Sequence, residues 1–179
     1  SRKQNVILMI CHGLGGGADK HLQDLALQST DRGARVLIMR SLPGQPHLAS
    51  LELVHGSDDF NIQIPTGDLT KLAELLKAFG VSLVHIHHTM HWAIDLQALL
   101  ARLGLPFLFT VHDFYTLCPR VNLMGPLHSA YCGEPDQNGC LACLKESPRT
   151  DTTDIFYWRA RHAWLFHDAL AIICPSRDT

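Results

Sequence analysis

Two periodicities alternate along this chain, and the alternation leaves few folds open to it. Asn5 to Ile10 is an unbroken apolar run. A strand with one wet face would alternate polar with apolar, so this one is expected to be covered on both faces. Leu22, Leu25 and Ala26 then fall at helical spacing, and Asp31-Arg-Gly33 ends that helix. Arg35 to Met39 reads as a second strand, followed by an irregular stretch holding Pro43, Pro46 and Gly56 and by a short alternating strand at Phe60 to Ile64. Thr66-Gly-Asp68 caps a helix striped by Leu69, Leu72, Leu75 and Leu76, and Gly80 closes it. Val81 to His87 is the fourth strand, Trp92 to Leu103 a helix stopped by Gly104, and Leu105 to Val111 the fifth strand. A helical face returns from Ile155 to Phe166, before a last strand at Ala169 to Cys174. Strands alternating with helices make parallel βαβ units with right-handed crossovers. The expected fold is a doubly wound α/β domain, with a mainly parallel, Rossmann-like sheet and helices on both faces.

Composition removes several classes. With 179 residues, 46% of them hydrophobic and 18% charged, the chain suits one globular domain rather than a disordered segment. Net charge is −2, with Lys and Arg scattered, so no basic footprint for nucleic acid is present. No apolar run approaches the ~20 residues of a membrane span. No signal peptide precedes the first strand, and the expected location is the cytoplasm. In that compartment clustered cysteines bind metal, do redox work or pack. Cys11 and Cys174, at predicted strand ends, read as buried small hydrophobes.

An open parallel sheet binds ligands beyond the carboxyl ends of its strands, where the strand order reverses; in the common order the first and fourth strands meet there. Three segments lie at such ends: Cys11 to Gly17, His87 to His91, and His112-Asp113. Gly13-x-Gly-Gly-Gly17 lets backbone approach an anion and opens a helix whose N–H groups are unspent. It is neither the dinucleotide glycine pattern, which needs glycine at Ala18, nor a Walker motif, and a tight turn without ligand is the alternative. His85 reads as a packed, hydrogen-bonded strand residue. His87 and His88 read as lining the crevice; with His85 and His91 they resemble a metal cluster only superficially, since no carboxylate accompanies them. His112 beside Asp113 can hydrogen-bond a hydroxyl or stabilise negative charge.

These residues together resemble the N-terminal domain of glycosyltransferase family 4, which has the two-domain GT-B fold. The likeness rests on Gly15 to Leu25 (GGGADKHLQDL), Val84 to His88 (VHIHH), Pro106 to Asp113 (PFLFTVHD) and Ala171 to Ser176 (AIICPS), and it spans residues 1–179. It implies transfer of a sugar from a nucleotide-sugar donor to a saccharide or lipid-linked acceptor, with retention of anomeric configuration and no metal in the chemistry. Polysaccharide or cell-envelope synthesis is the implied setting. Gly15, Gly16 and Gly17 match the loop that approaches the donor phosphates. His112 matches the histidine near the reaction centre, and His87, His88 and Asp113 match positions lining the cleft. The acceptor docks on this half, while a C-terminal donor-binding domain, absent from these residues, is the expected partner. A lipid-linked acceptor would bring the enzyme to the inner membrane surface as a peripheral protein. The competing readings are a ligand-binding or regulatory module without catalysis, and a Rossmann oxidoreductase; against the latter, Arg40 stands where an acidic residue belongs.

From Asp113 to Arg149 no period is visible, and an insertion over 113–150 is expected. Cys118, Cys132, Cys140 and Cys143 are separated by 13, 7 and 2 residues. The closing Cys-x-x-Cys suits two thiolates on one zinc, and four thiolates make a closed structural site. An iron–sulfur cluster, free thiols, a disulfide, or His128 replacing one cysteine are the alternatives. His112 to Asn122 (HDFYTLCPRVN) resembles a variant within the family, in which Tyr115 and Arg120 are candidates to face an acceptor or a phosphate, the insertion then acting as an acceptor-selecting lid.

Overall fold

The structure is a computed structural model that describes residues 5–54, 60–125, 130–146 and 154–177. Its contacts divide the chain into two compact units, one of residues 1–112 with Ala169–Ile173, the other of 113–168 with the tail from Cys174. The first unit holds the sheet. Its strands are β1 (Val6–Cys11), β2 (Arg35–Ser41), β3 (Leu48–Val54), β4 (Asn61–Pro65), β5 (Val81–Ile86), β6 (Phe107–Thr110) and β7 (Ala171–Ile173), and its helices are α1 (Gly17–Asp31), α2 (Leu69–Ala78) and α3 (Leu96–Leu103). The second unit holds α4 (Gln137–Glu146), α5 (Ile155–His162) and α6 (Trp164–His167).

Strand order is β4-β3-β2-β1-β5-β6-β7. The five strands from β2 to β7 are parallel, while β3 and β4 are antiparallel additions at one edge. Winding runs from β1 to β2 on one side and resumes at β5 on the other, so β1 and β5 flank the switch point. These are the first and fourth strands of the sequence reading, and the mainly parallel α/β sheet is as expected. Met9, Cys11, Val36 and Ile38 form one buried cluster with Leu22 and Ala26 of α1. The alternate residues Leu8, Ile10, Leu37 and Met39 are equally buried, which is why these strands are apolar throughout. Helices α2 and α3 pack on each other, and α2 also meets β5.

Several boundaries differ from the sequence reading. Strand β3 lies in the stretch read as irregular: Ala49, Leu51 and Leu53 are buried and alternate with Ser50 and Glu52. Helix α3 starts at Leu96, not Trp92, because the Asp95 side chain caps it by accepting from the Ala98 N–H. Trp92 instead donates from Nε1 to the Cys11 carbonyl, tying the segment after β5 to the end of β1. The insertion contains a helix, α4, and the face read from Ile155 to Phe166 is two helices. Cys174 is exposed, unlike buried Cys11; it follows β7, an edge strand bonded on one side only and exposed along its length. His128 and Gly56 lie outside the described residues, as do 126–129 and 147–150 of the expected insertion. Among the described residues no helix is long and apolar enough to cross a membrane.

Candidate functional site at the strand ends

The loop after β1 divides its glycines between two tasks. Gly13 is a packing glycine, since a Cβ there would lie 2.3 Å from the Ser41 carbonyl oxygen. Gly15 and Gly16 have φ of +71° and +87°, a region in which L side chains are strained. A Cβ on Gly15, Gly16 or Gly17 would meet nothing within 4 Å, so this stretch faces open space. Gly16 caps α1 without any side chain occupying the helix terminus, which leaves first-turn N–H groups for an anion. The one acidic residue of that turn, Asp19, accepts from Arg40 Nε at 2.8 Å, and Arg40 Nη1 also reaches Glu52 at 2.8 Å. Arg40 thus anchors α1 to β2 and β3 and offsets the carboxylate that would repel an anion.

Beside this loop lies a group of imidazoles. The pairing of β5 with β1 continues one residue past the strand, the His87 N–H donating to the Ile10 carbonyl at 2.8 Å. That contact fixes His87 at the sheet edge. His85, buried, hydrogen-bonds Thr110 Oγ1 through Nε2 at 2.7 Å and lies under His87, with ring centroids 4.1 Å apart. His87 Nδ1 is 3.1 Å from His112 Nε2. His21, one turn into α1, sets its ring edge-on to His112 at 5.1 Å. Ligand atoms of His21, His87 and His112 all fall within 4.8 Å of one another. This trio, rather than the run 85, 87, 88 and 91, is the one with metal-ligand spacing, and it contains no carboxylate. His88, also buried, accepts from the Met90 N–H through Nδ1 and packs edge-on against His12, while His91 is exposed.

Burial keeps the inner imidazoles uncharged. Desolvation, then the neighbouring histidines, lower His87 to about 2 and His85 to about 4. His87 Nε2 is buried with no hydrogen-bond partner among the described residues. A bare lone pair is less costly there than an orphaned N–H, which places the proton of neutral His87 on Nδ1, donating to His112 Nε2. His112 Nε2 is then the acceptor of that hydrogen bond.

Asp113, Tyr115 and Arg120 belong to the second unit. Asp113 Oδ1 accepts from the Tyr115 N–H, and the Tyr115 ring packs edge-on to Trp158 at 5.0 Å. Arg120 is buried, and its guanidinium donates to the Met124 and Gly125 carbonyls of its own loop. The four cysteines of the insertion line a single cavity together with Arg120. Burial raises Cys118 and Cys140; Cys132, Cys143 and Cys140 raise Cys118 further, and Cys132, Cys143 and Asp136 raise Cys140 further. Sequence reasoning missed His21, although it stands four residues after Gly17, where the first helical turn brings a side chain back over the loop.

The glycine loop and the histidines thus lie together at the switch point of a mainly parallel α/β sheet. The family model for Glycosyltransferase Family 4 matches residues 15–179. The chain belongs to glycosyltransferase family 4 and is a glycosyltransferase domain. No curated protein and no solved structure matches it.

Proposed function

We propose that this domain is the acceptor-side N-terminal half of a retaining enzyme, which moves a sugar from a nucleotide-sugar donor to a saccharide or lipid-linked acceptor in polysaccharide or cell-envelope synthesis. The observation that carries the reading is the juxtaposition of open Gly15, Gly16 and Gly17 with the His21, His87 and His112 group at one strand-end crevice. Backbone N–H groups at the start of α1 receive the donor diphosphate, where the helix dipole favours negative charge. His112, oriented by His87, donates to a donor hydroxyl or to the developing leaving-group oxygen, contacts of the kind that strengthen in a transition state. Neutral His87 suits this task, since it holds His112 by a hydrogen bond without attracting a second anion. His88 lines the crevice in the family pattern. A second α/β domain of the same enzyme holds the ribose and most of the sugar, and the chemical step uses no metal. The enzyme works in the cytoplasm, and a lipid-linked acceptor brings it to the inner face of the membrane.

The test is a panel of nucleotide sugars with the complete transferase in the presence of EDTA, the product anomer being read by NMR. Retained configuration, chelator-resistant turnover and a loss of about a hundredfold or more in His112→Ala are expected. Inverted product, or an undiminished His112→Ala, would refute the mechanism. The 179 residues alone are expected to be inactive, and turnover by them would overturn the two-domain reading.

A further inference from the structure

The second unit is poor in apolar core. Among the described residues its large buried apolar side chains are Leu123, Leu144, Ile155, Trp158 and Leu165. Five such side chains are a small apolar core for the described residues of this unit. Helix α4 adds little, for only Leu144 of its ten residues is buried.

What the unit does concentrate is sulfur. Cys118 sits in a turn closed by its own N–H on the Phe114 carbonyl and by the Val121 N–H on the Cys118 carbonyl. Cys132 follows the bridge between Met124 and Tyr131 and is held by its N–H on the Leu123 carbonyl. Cys140 and Cys143 lie on α4 at a spacing that puts both on one side of the helix. Three separate pieces of backbone thus bring four cysteines to the lining of one cavity of about 30 Å³; among the described residues only His21, His87 and His112 already hold three ligand atoms within 4.8 Å of one another, so an ion here would draw the sulfurs together. None is bonded to another. A void needs roughly 10–15 Å³ to hold one water-sized body, so this one has room for a single ion. Positive charge is already in place: Arg120 lines the same cavity, and Arg159 acts electrostatically on Cys140. A tetrathiolate around a divalent ion carries a net charge of about −2, and buried charge requires such compensation.

We propose that Cys118, Cys132, Cys140 and Cys143 hold one structural Zn²⁺ as a closed tetrahedral site, and that this ion supplies the order the insertion's apolar residues do not. Each thiol gives its proton to solvent on binding, no electrons move, and no coordination position is left for substrate. The site is independent of the sugar-transfer reading, and its test does not depend on activity.

The chain is purified without chelator and its metal counted by mass spectrometry; Co²⁺ then replaces the native ion. One zinc per chain is expected, and the cobalt form should show sulfur-to-cobalt charge transfer with the intense d–d bands of a tetrahedral thiolate site. Removing the ion with a strong chelator should lower Tm, and Zn²⁺ should restore it. The double variant C140S/C143S should lose the metal, while His21→Ala should keep it. Absence of zinc with no cobalt charge transfer overturns the proposal. So do iron with acid-labile sulfide, disulfides found by mass in the freshly isolated chain, and zinc that departs in His21→Ala. If the double variant does not fold, the cobalt spectrum and the chelator cycle on the unaltered chain decide.

Discussion

Alanine at Gly13 places a methyl against backbone. Its Cβ would sit 2.3 Å from the Ser41 carbonyl oxygen and 3.4 Å from Cδ of Pro43, where ordinary contacts begin at 3.4 Å. The shortfall at Ser41 is therefore about 1 Å, and the obstructing atom is not the end of a flexible side chain. Ser41 pairs with Ala49 across β3, and its neighbour Arg40 holds Asp19 and Glu52, so moving it disturbs the β2 end and the start of α1 together. Gly13 lies outside the left-handed region, which makes the cost one of collision rather than of dihedral strain. Forcing a methylene-sized group into a packed site costs about 1–3 kcal/mol, and the rigidity of this one points to the upper end. For a domain of this size that is a fall in Tm of roughly 5–10 °C, read by circular dichroism. Gly17→Ala is the control: nothing lies within 4 Å of its Cβ and φ is ordinary, so alanine at the first residue of α1 leaves Tm level or raises it slightly. Under the proposed function its methyl would stand where the donor diphosphate approaches, and KM for the nucleotide sugar should rise in the complete enzyme. Equal melting of Gly13→Ala and parent, or early melting of Gly17→Ala, would refute this division of labour.

Thr110→Val removes the hydroxyl that meets buried His85 Nε2 at 2.7 Å and should cost about 1–3 kcal/mol, read from the urea midpoint. Stability should also depend on acid. His85 and His87 titrate near 4 and 2 in the folded chain against about 6.5 unfolded. Above pH 6.5 neither state holds the extra proton; below it the unfolded chain gains protons that the fold excludes. Each histidine then removes about 1 kcal/mol per pH unit, His85 down to about pH 4 and His87 beyond it, and an unchanged urea midpoint between pH 6.5 and 5 would contradict burial as the cause. Arg40→Met strands Asp19 and Glu52; because all three groups retain some exposure, the expected loss is about 1–3 kcal/mol. A double-mutant cycle with Asp19→Asn should show coupling, and additive losses would argue that the pair is not an anchor.

The parallel core was legible because burial on both faces forces a continuous apolar run, and β1, β2 and β5 carry one. Strand β3 was not, although Ala49, Ser50, Leu51, Glu52 and Leu53 do alternate. Pro43, Pro46 and Gly56 punctuate that region, yet the first two fall in the turn before β3, where the Gln45 N–H bonds the Leu42 carbonyl, and Gly56 lies outside the described residues. Turn residues frame a hairpin as readily as they break one. The start of α3 was misjudged for a different reason: Trp92 is apolar at helical spacing, but its burial at 8% exposure comes with a hydrogen bond to the β1 end. Hydrophobic spacing records that a residue is buried, not which element buries it. Helix α4 escaped because it has no apolar stripe; its start is held locally, Asp136 accepting from the Gly139 N–H.

The candidate site was legible wherever strand register alone fixes position. His87 and His112 end neighbouring strands of one parallel sheet, so their convergence follows from the strand order. The strand pattern also put His85 and His87 on one face, which their adjacent, tilted rings reproduce. His21 comes from a helix, and whether it reaches the group depends on how α1 is rotated about its axis. That rotation is set by Leu22 and Ala26 packing into the sheet and by Asp19 held on Arg40. The turn that buries Leu22 leaves its neighbour His21 half-buried at the crevice, edge-on to His112. The same packing that seats the helix therefore assembles the third imidazole beside the glycine loop, and a change at Arg40 should reach His21 as well as stability. Measured by NMR, the His21 ring resonances should shift in Arg40→Met while those of His85, tied to Thr110, stay in place; unmoved His21 signals would separate the anchor from the site.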